Sequence, residues 1–126
     1  MKININFVLI YLFTALEFGI EPSDVIAPEG NSVLLQCAGH TEPSALKEGK
    51  TAPNIRWRGP DGQDIGIVGD TFRTQLPNGS LYVSSVEENR GLTGAYQCLL
   101  TVDGLGTIVS RSARVSIASM SNEKRI

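Results

Sequence analysis

Cys37 and Cys98 stand about sixty residues apart, and each sits in the middle of a run that alternates apolar with polar positions. In Asn31-Ser-Val-Leu-Leu-Gln-Cys-Ala38, period-2 spacing puts Val33, Leu35 and Cys37 on one face and Ser32 and Gln36 on the other. The run 94–101 does the same, with Tyr96, Cys98 and Leu100 on one face and Ala95 and Gln97 opposite. Two cysteines held mid-strand on inward faces can staple one sheet to another, which limits the chain to layered β architectures.

Whether they pair depends on the compartment. Lys2 precedes residues 7–16, an uncharged run of ten that is too short to span a bilayer but suits the apolar region of a secretory leader. We assign 1–19 to a signal peptide, with cleavage between 15 and 19, 20–118 to the folded domain and 119–126 to a disordered tail. A buried N-terminal strand or helix is the alternative for the apolar run. No second apolar segment reaches spanning length, so secretion, or display at the cell surface as part of a longer receptor, is expected. In that oxidising route the two cysteines most simply bond to each other, closing a loop worth roughly 4 kcal/mol in the chain-entropy picture. Free thiols or an intermolecular bridge are the alternatives.

Further strands follow from turn chemistry. In Asn54-Ile-Arg-Trp-Arg58, Ile55 and Trp57 point inward and Arg56 and Arg58 outward, and the cluster Gly59-Pro60-Asp61-Gly62 stops the strand. Leu81 and Val83 face in behind a tight hairpin for which Asn78-Gly79 supplies positive φ angles. Residues 106–117 read as one last strand, with Ala113, Val115 and Ile117 inward. Helix is confined to a turn near 86–92.

Cys37, Trp57, Leu81 and Gly94-Ala95-Tyr96-Gln97-Cys98, in that order, form the immunoglobulin pattern. An indole packs on the inter-sheet disulfide, and a Tyr two residues before the second Cys turns its hydroxyl back to the backbone. The expected fold is therefore an all-β, immunoglobulin-like sandwich of two antiparallel sheets. Two positions depart from the pattern. Leu92 stands where an Asp often pairs with an Arg at the start of the fourth strand, which leaves Arg73 without that partner. Residues 39–53 make an unusually long polar loop.

Read with their neighbours, Glu21-Pro22-Ser23-Asp24-Val25-Ile26-Ala27, Gln75-Leu76-Pro77-Asn78-Gly79-Ser80-Leu81 and the eleven residues 101–111 (Thr-Val-Asp-Gly-Leu-Gly-Thr-Ile-Val-Ser-Arg) resemble the first immunoglobulin domain of the neogenin, deleted-in-colorectal-cancer and frazzled family of netrin receptors. The resemblance implies an extracellular protein-binding module of an axon-guidance and adhesion receptor, here a fragment or short isoform. It does not place a netrin site on this domain, since netrin contacts in that family fall mainly on fibronectin domains. A free-standing secreted recognition protein, a decoy or defence factor, is the alternative.

Eleven Lys and Arg against thirteen Asp and Glu leave no surplus to neutralise phosphates, which argues against nucleic acid. One His and two Cys are too few for a structural zinc site, and no cofactor is expected. His40 lies in a polar loop with no nucleophile motif, so no catalytic residues are assigned and no enzyme is expected. Asn78-Gly79-Ser80 is an N-glycosylation sequon, which makes Asn78 a candidate site in a glycoprotein. Arg56, Arg58, Arg111 and Arg114 form a candidate basic stripe for protein partners, with a netrin-type ligand or heparan sulfate as weaker options.

Overall fold

A computed structural model describes residues 16–41, 53–66 and 69–118. Ten strands follow in chain order: β1 (Leu16–Ile20), β2 (Val25–Ala27), β3 (Val33–Leu35), β4 (Ala38–Thr41), β5 (Asn54–Arg58), β6 (Arg73–Gln75), β7 (Leu81–Val83), β8 (Gly94–Val102), β9 (Gly106–Val109) and β10 (Ala113–Ile117). One layer has the order β2-β10-β8-β5 with β9 also on β8. The other contains β3-β7-β6, prolonged along the chain by the β1-β4 pair. All pairings are antiparallel except β2 with β10.

Inward residues of the two layers meet in one core. Trp57, Tyr96, Leu35, Leu81, Leu100, Val83 and Val115 are almost wholly buried around the Cys37–Cys98 disulfide, whose Cα atoms lie 6.5 Å apart. Trp57 and Cys98 are registered partners on β5 and β8, so the indole lies beside the bridge. Its Nε1 donates to the carbonyl of Gly79 at 2.7 Å, which satisfies the one polar atom that burying a Trp brings inside. Gly79 needs to be glycine twice over: its φ is +94°, and a Cβ there would collide with Ile55. The Tyr96 hydroxyl donates to the Leu92 carbonyl at 2.6 Å, and the Leu92 side chain is itself buried in the core.

Several expectations need correction. The run 31–38 is not one strand: β3 ends at Leu35 and pairing resumes at β4, which takes up residues 39–41 of the expected loop. Residues 42–52 of that loop lie outside the described residues, as do residues 1–15 and the expected tail 119–126. The last run is split as well. Ile108 and Ser110 point inward on even positions and Ala113 and Val115 on odd ones, so a bulge at 110–112 shifts the phase. The β6–β7 hairpin has positive φ only at Gly79; its turn is Leu76-Pro77-Asn78-Gly79, closed by a bond from the Gly79 N–H to the Leu76 carbonyl at 2.8 Å. Pro favours the second position of such a turn, and Gly the fourth. Among the described residues a 3₁₀ turn occupies Glu88–Arg90.

β1 bears on the leader. Leu16 is completely buried, Phe18 packs against the core, and the strand is registered with β4 from Leu16↔Thr41 to Ile20↔Ala38. A cut before Leu16 keeps this strand, and a cut after Gly19 removes nearly all of it. Leu16→Ala is expected to cost about 2–5 kcal/mol, the range for truncating a buried leucine, as read from chemical denaturation midpoints. A loss below about 1 kcal/mol would mean that β1 contributes little to the fold.

Candidate binding faces

The outward face of the β10-β8-β5 layer is built by the alternate residues of its strands. Arg56, Leu99 and Val109 form one row across β5, β8 and β9, flanked by a row of Asn54, Thr101 and Thr107 and by the pair Arg58 and Gln97. Leu99 is 4% exposed although it points away from the core, whereas Val109 is 46% exposed. Thr101 and Thr107 join their hydroxyls at 2.7 Å. Leu99 is thus covered on this face, and Val109 is its exposed apolar residue, bordered by polar neighbours. Leu99 was legible in principle, since it shares the parity of Ala95 and Gln97.

The four arginines do not form a free stripe, because β8 separates β5 from β10. Arg56 is held by Asp64 at 2.7 Å, and Arg58 donates to the Gln97 side chain at 3.4 Å. Arg111 lies in the bulge rather than along a strand. Its Nε donates to the Pro22 carbonyl at 3.0 Å, its Nη2 to the Ser23 hydroxyl at 3.2 Å, and its backbone N–H to the Glu21 carboxylate at 2.9 Å. Arg111 thus fastens the segment between β1 and β2 to the last strands. The Arg114 backbone N–H is taken by Asp24 at 2.8 Å, and its side chain is exposed. An open groove of about 420 Å³, lined by Ser23, Asp24, Arg111 and Ser112, remains beside this clamp.

The bulge holds itself. The Ser110 N–H donates to the Cys98 carbonyl at 2.8 Å, while its hydroxyl accepts from the Cys98 N–H at 2.9 Å and donates to the Arg111 carbonyl at 2.7 Å. Residues 110 and 111 of the 101–111 motif are thus accounted for structurally.

On the opposite layer, Leu34 and Tyr82 are cross-strand partners on β3 and β7, 44% and 38% exposed. Thr74 on β6 lies opposite Tyr82. Asn78 is exposed, and its Oδ1 accepts from the Ser80 N–H at 2.9 Å while Ser80 is buried. His40 is exposed on β4, opposite Glu17 on β1. Among the described residues no cluster of three or more His, Cys, Asp or Glu could hold a metal ion, and no helix is long and apolar enough to cross a membrane.

Arg73 has a substitute for the partner that Leu92 does not supply. Asp70 Oδ2 accepts from Arg73 Nε at 2.9 Å and from Nη2 at 2.7 Å, and Asp70 Oδ1 caps the backbone N–H groups of Phe72 and Arg73. Burial raises the Asp70 carboxyl, but the hydrogen bonds from Arg73 and the two backbone donors outweigh it and leave it below its ordinary value. Burial lowers Arg73, yet Asp70 and Tyr96 together raise it. For Tyr96, burial dominates and raises the phenol above its ordinary value. A carboxyl depressed in the folded state stabilises above its unfolded value near 3.8, and that contribution is lost as pH falls through the folded value. Asp70→Asn is therefore expected to cost about 1 kcal/mol near neutral pH, the Asp70 side chain being 42% exposed and Arg73 16%. The gap between the denaturation midpoints of variant and parent should begin to narrow as pH falls below about 4 and close only below the folded value of Asp70; a constant gap would exclude the ion pair as the cause.

No protein-family model matches the chain. It is 43% identical over 111 residues to neogenin of Rattus norvegicus, covering 86% of this chain and 7% of that one. To netrin receptor DCC of Mus musculus it is 35% identical over 109 residues, covering 84% and 7%. To contactin-4 of Rattus norvegicus it is 36% identical over 107 residues, covering 82% and 9%. Among solved structures, extracellular domains 3–5 of Drosophila OTK superpose with a TM-score of 0.65 at 18% identity, covering 83% of this chain and 32% of that one. The tandem Ig repeats of Dlar superpose at 0.64 and 19%, covering 82% and 48%. These two support the fold alone. The chain spans 7% of the length of its neogenin and DCC relatives.

Proposed function

Because this immunoglobulin domain belongs to the family of neogenin and the netrin receptor DCC, we propose that it serves as an extracellular protein-binding module of a guidance and adhesion receptor of that kind. The single observation that carries the reading is 43% identity to neogenin, about twice the identity to structures that share only the fold. Membership in a family of receptor modules also makes it a non-enzymatic domain.

In this role the domain enters the secretory route, where Cys37 and Cys98 oxidise, and it meets protein partners through its sheet faces. Val109 with its polar border is the better-supported patch. Heparan sulfate is the weaker partner, because Arg111 is spent on the segment 21–24 and Arg56 on Asp64. Binding to heparin should accordingly be weak and vanish near physiological salt, where exposed charges are screened beyond about 8 Å. Retention on a heparin column above that salt would restore the basic stripe.

Netrin binding is tested by pull-down with the purified protein. The receptor reading itself is tested on the transcripts: an in-frame continuation beyond Ile126 into further immunoglobulin and fibronectin domains is expected. A stop codon after Ile126 in every transcript overturns it in favour of a free-standing secreted recognition protein. For Asn78, glycosidase treatment of the secreted protein should lower its mass, and an unchanged mass removes the glycan.

A further inference from the structure

We propose that the open edge of β9 is a self-association site, at which a second copy of this chain adds its own β9 antiparallel about a twofold axis through Ile108. Among the described residues β9 pairs only with β8, and β2, which covers β10, begins at Val25 and stops short of it. Because Ser110 donates to Cys98 and antiparallel ladder bonds fall on alternate residues, Ile108 shares the bonded parity. Thr107 and Val109 therefore turn their N–H and C=O groups to the open edge.

Natural sheets guard such edges with Lys, Pro, inward-pointing charges or a bulge. Gly106-Thr107-Ile108-Val109 carries no charge and no Pro, and the bulge comes only after it, at 110–112. An extended backbone is the chemistry that completes a strand edge, and three features favour a second copy as its source. The twofold axis sets Thr107 of each copy opposite Val109 of the other, which satisfies all four outward groups on each strand. No charge lies within the paired stretch, so like meets like without repulsion, as an isologous contact requires. The same operation carries the 103–105 turn of one copy towards Arg111 and Ser112 of the other, where the groove of about 420 Å³ leaves room for it. Pairing also sets Val109, 46% exposed, beside Thr107 of the second copy.

Four backbone hydrogen bonds support only a weak dimer, so sedimentation velocity of the full chain is read from about 10 to 500 µM. A weight-average mass that rises towards twice the monomer is expected. Val109→Pro removes one edge N–H from each copy without touching the β8 ladder, and should weaken association about tenfold or more. Val109→Ala keeps the backbone donor and should change association by less than about threefold. If the proline variant fails to fold, amide exchange in the parent protein decides instead: Thr107 and Val109 should gain protection with concentration while Ile108 does not. A monomer throughout the range, or association that survives Val109→Pro in a folded protein, overturns the site. The inference rests on strand topology and stands apart from the receptor reading.

Discussion

Replacing Cys37 and Cys98 together by alanine is expected to lower the unfolding free energy by roughly 4 kcal/mol, among the largest losses this chain can show short of not folding. The bridge closes a loop of 61 residues, and in the chain-entropy picture a loop of that size restricts the unfolded state by about that amount. A domain of about a hundred residues has only about 5–15 kcal/mol in total, so the variant should be marginal at physiological temperature. The bridge also joins β8 of one layer to the β3–β4 junction of the other, at a site where both cysteines are at most 3% exposed. Alanine therefore leaves a void against Trp57 as well as a longer free chain. Urea denaturation, with and without reductant for the parent protein, separates the two contributions. The parent should fall towards the variant when reduced, and a parent that is unmoved by complete reduction would exclude the bridge as a source of stability.

Trp57→Ala should cost about 3–5 kcal/mol, the range for deleting a buried aromatic ring. Trp57 is 1% exposed, and its removal also leaves the Gly79 carbonyl without its donor. Trp57→Phe refills most of the volume and isolates that second effect, an unpaired buried acceptor worth about 1–3 kcal/mol. The two variants should thus differ by the packing contribution alone. Equal losses in both would assign the whole effect to the hydrogen bond. Because Trp57 is the only Trp, its fluorescence in the parent reports the same transition.

Most of the sandwich could be read in advance because its central strands carry two independent signals. β5 alternates cleanly and β8 does so as far as Cys98, and each is bounded by turn chemistry, Gly59-Pro60 after one and Gly104 after the other. The elements that escaped notice lack one signal or the other. β1 runs directly on from the apolar stretch at 7–16, and a leader and a buried strand look alike to hydropathy. β2 has three residues, and β6 is Arg-Thr-Gln, a polar strand brought into its layer by the hairpin to β7 rather than by its own pattern. The bulge at 110–112 was hidden because a one-residue phase slip leaves both halves alternating normally. For the binding faces the limit was different in kind. Which arginines are free depends on Asp64 and on the segment 21–24, partners that no local pattern connects to them.

The parallel pair β2–β10 has a mechanical meaning. Val25 lies beside Val115 and Ala27 beside Ile117, and the Ala118 N–H is bonded to the Ala27 carbonyl at 2.8 Å. Tension applied through the start of β2 and the end of β10 pulls these two strands past each other along their length. Their slanted bonds are then loaded together in shear rather than opened one at a time, as in a peeled hairpin. Arg111 adds its grip on Pro22 and Ser23 just ahead of β2. A domain fastened in this way resists stretching most strongly along the line that runs from the start of β2 to the end of β10.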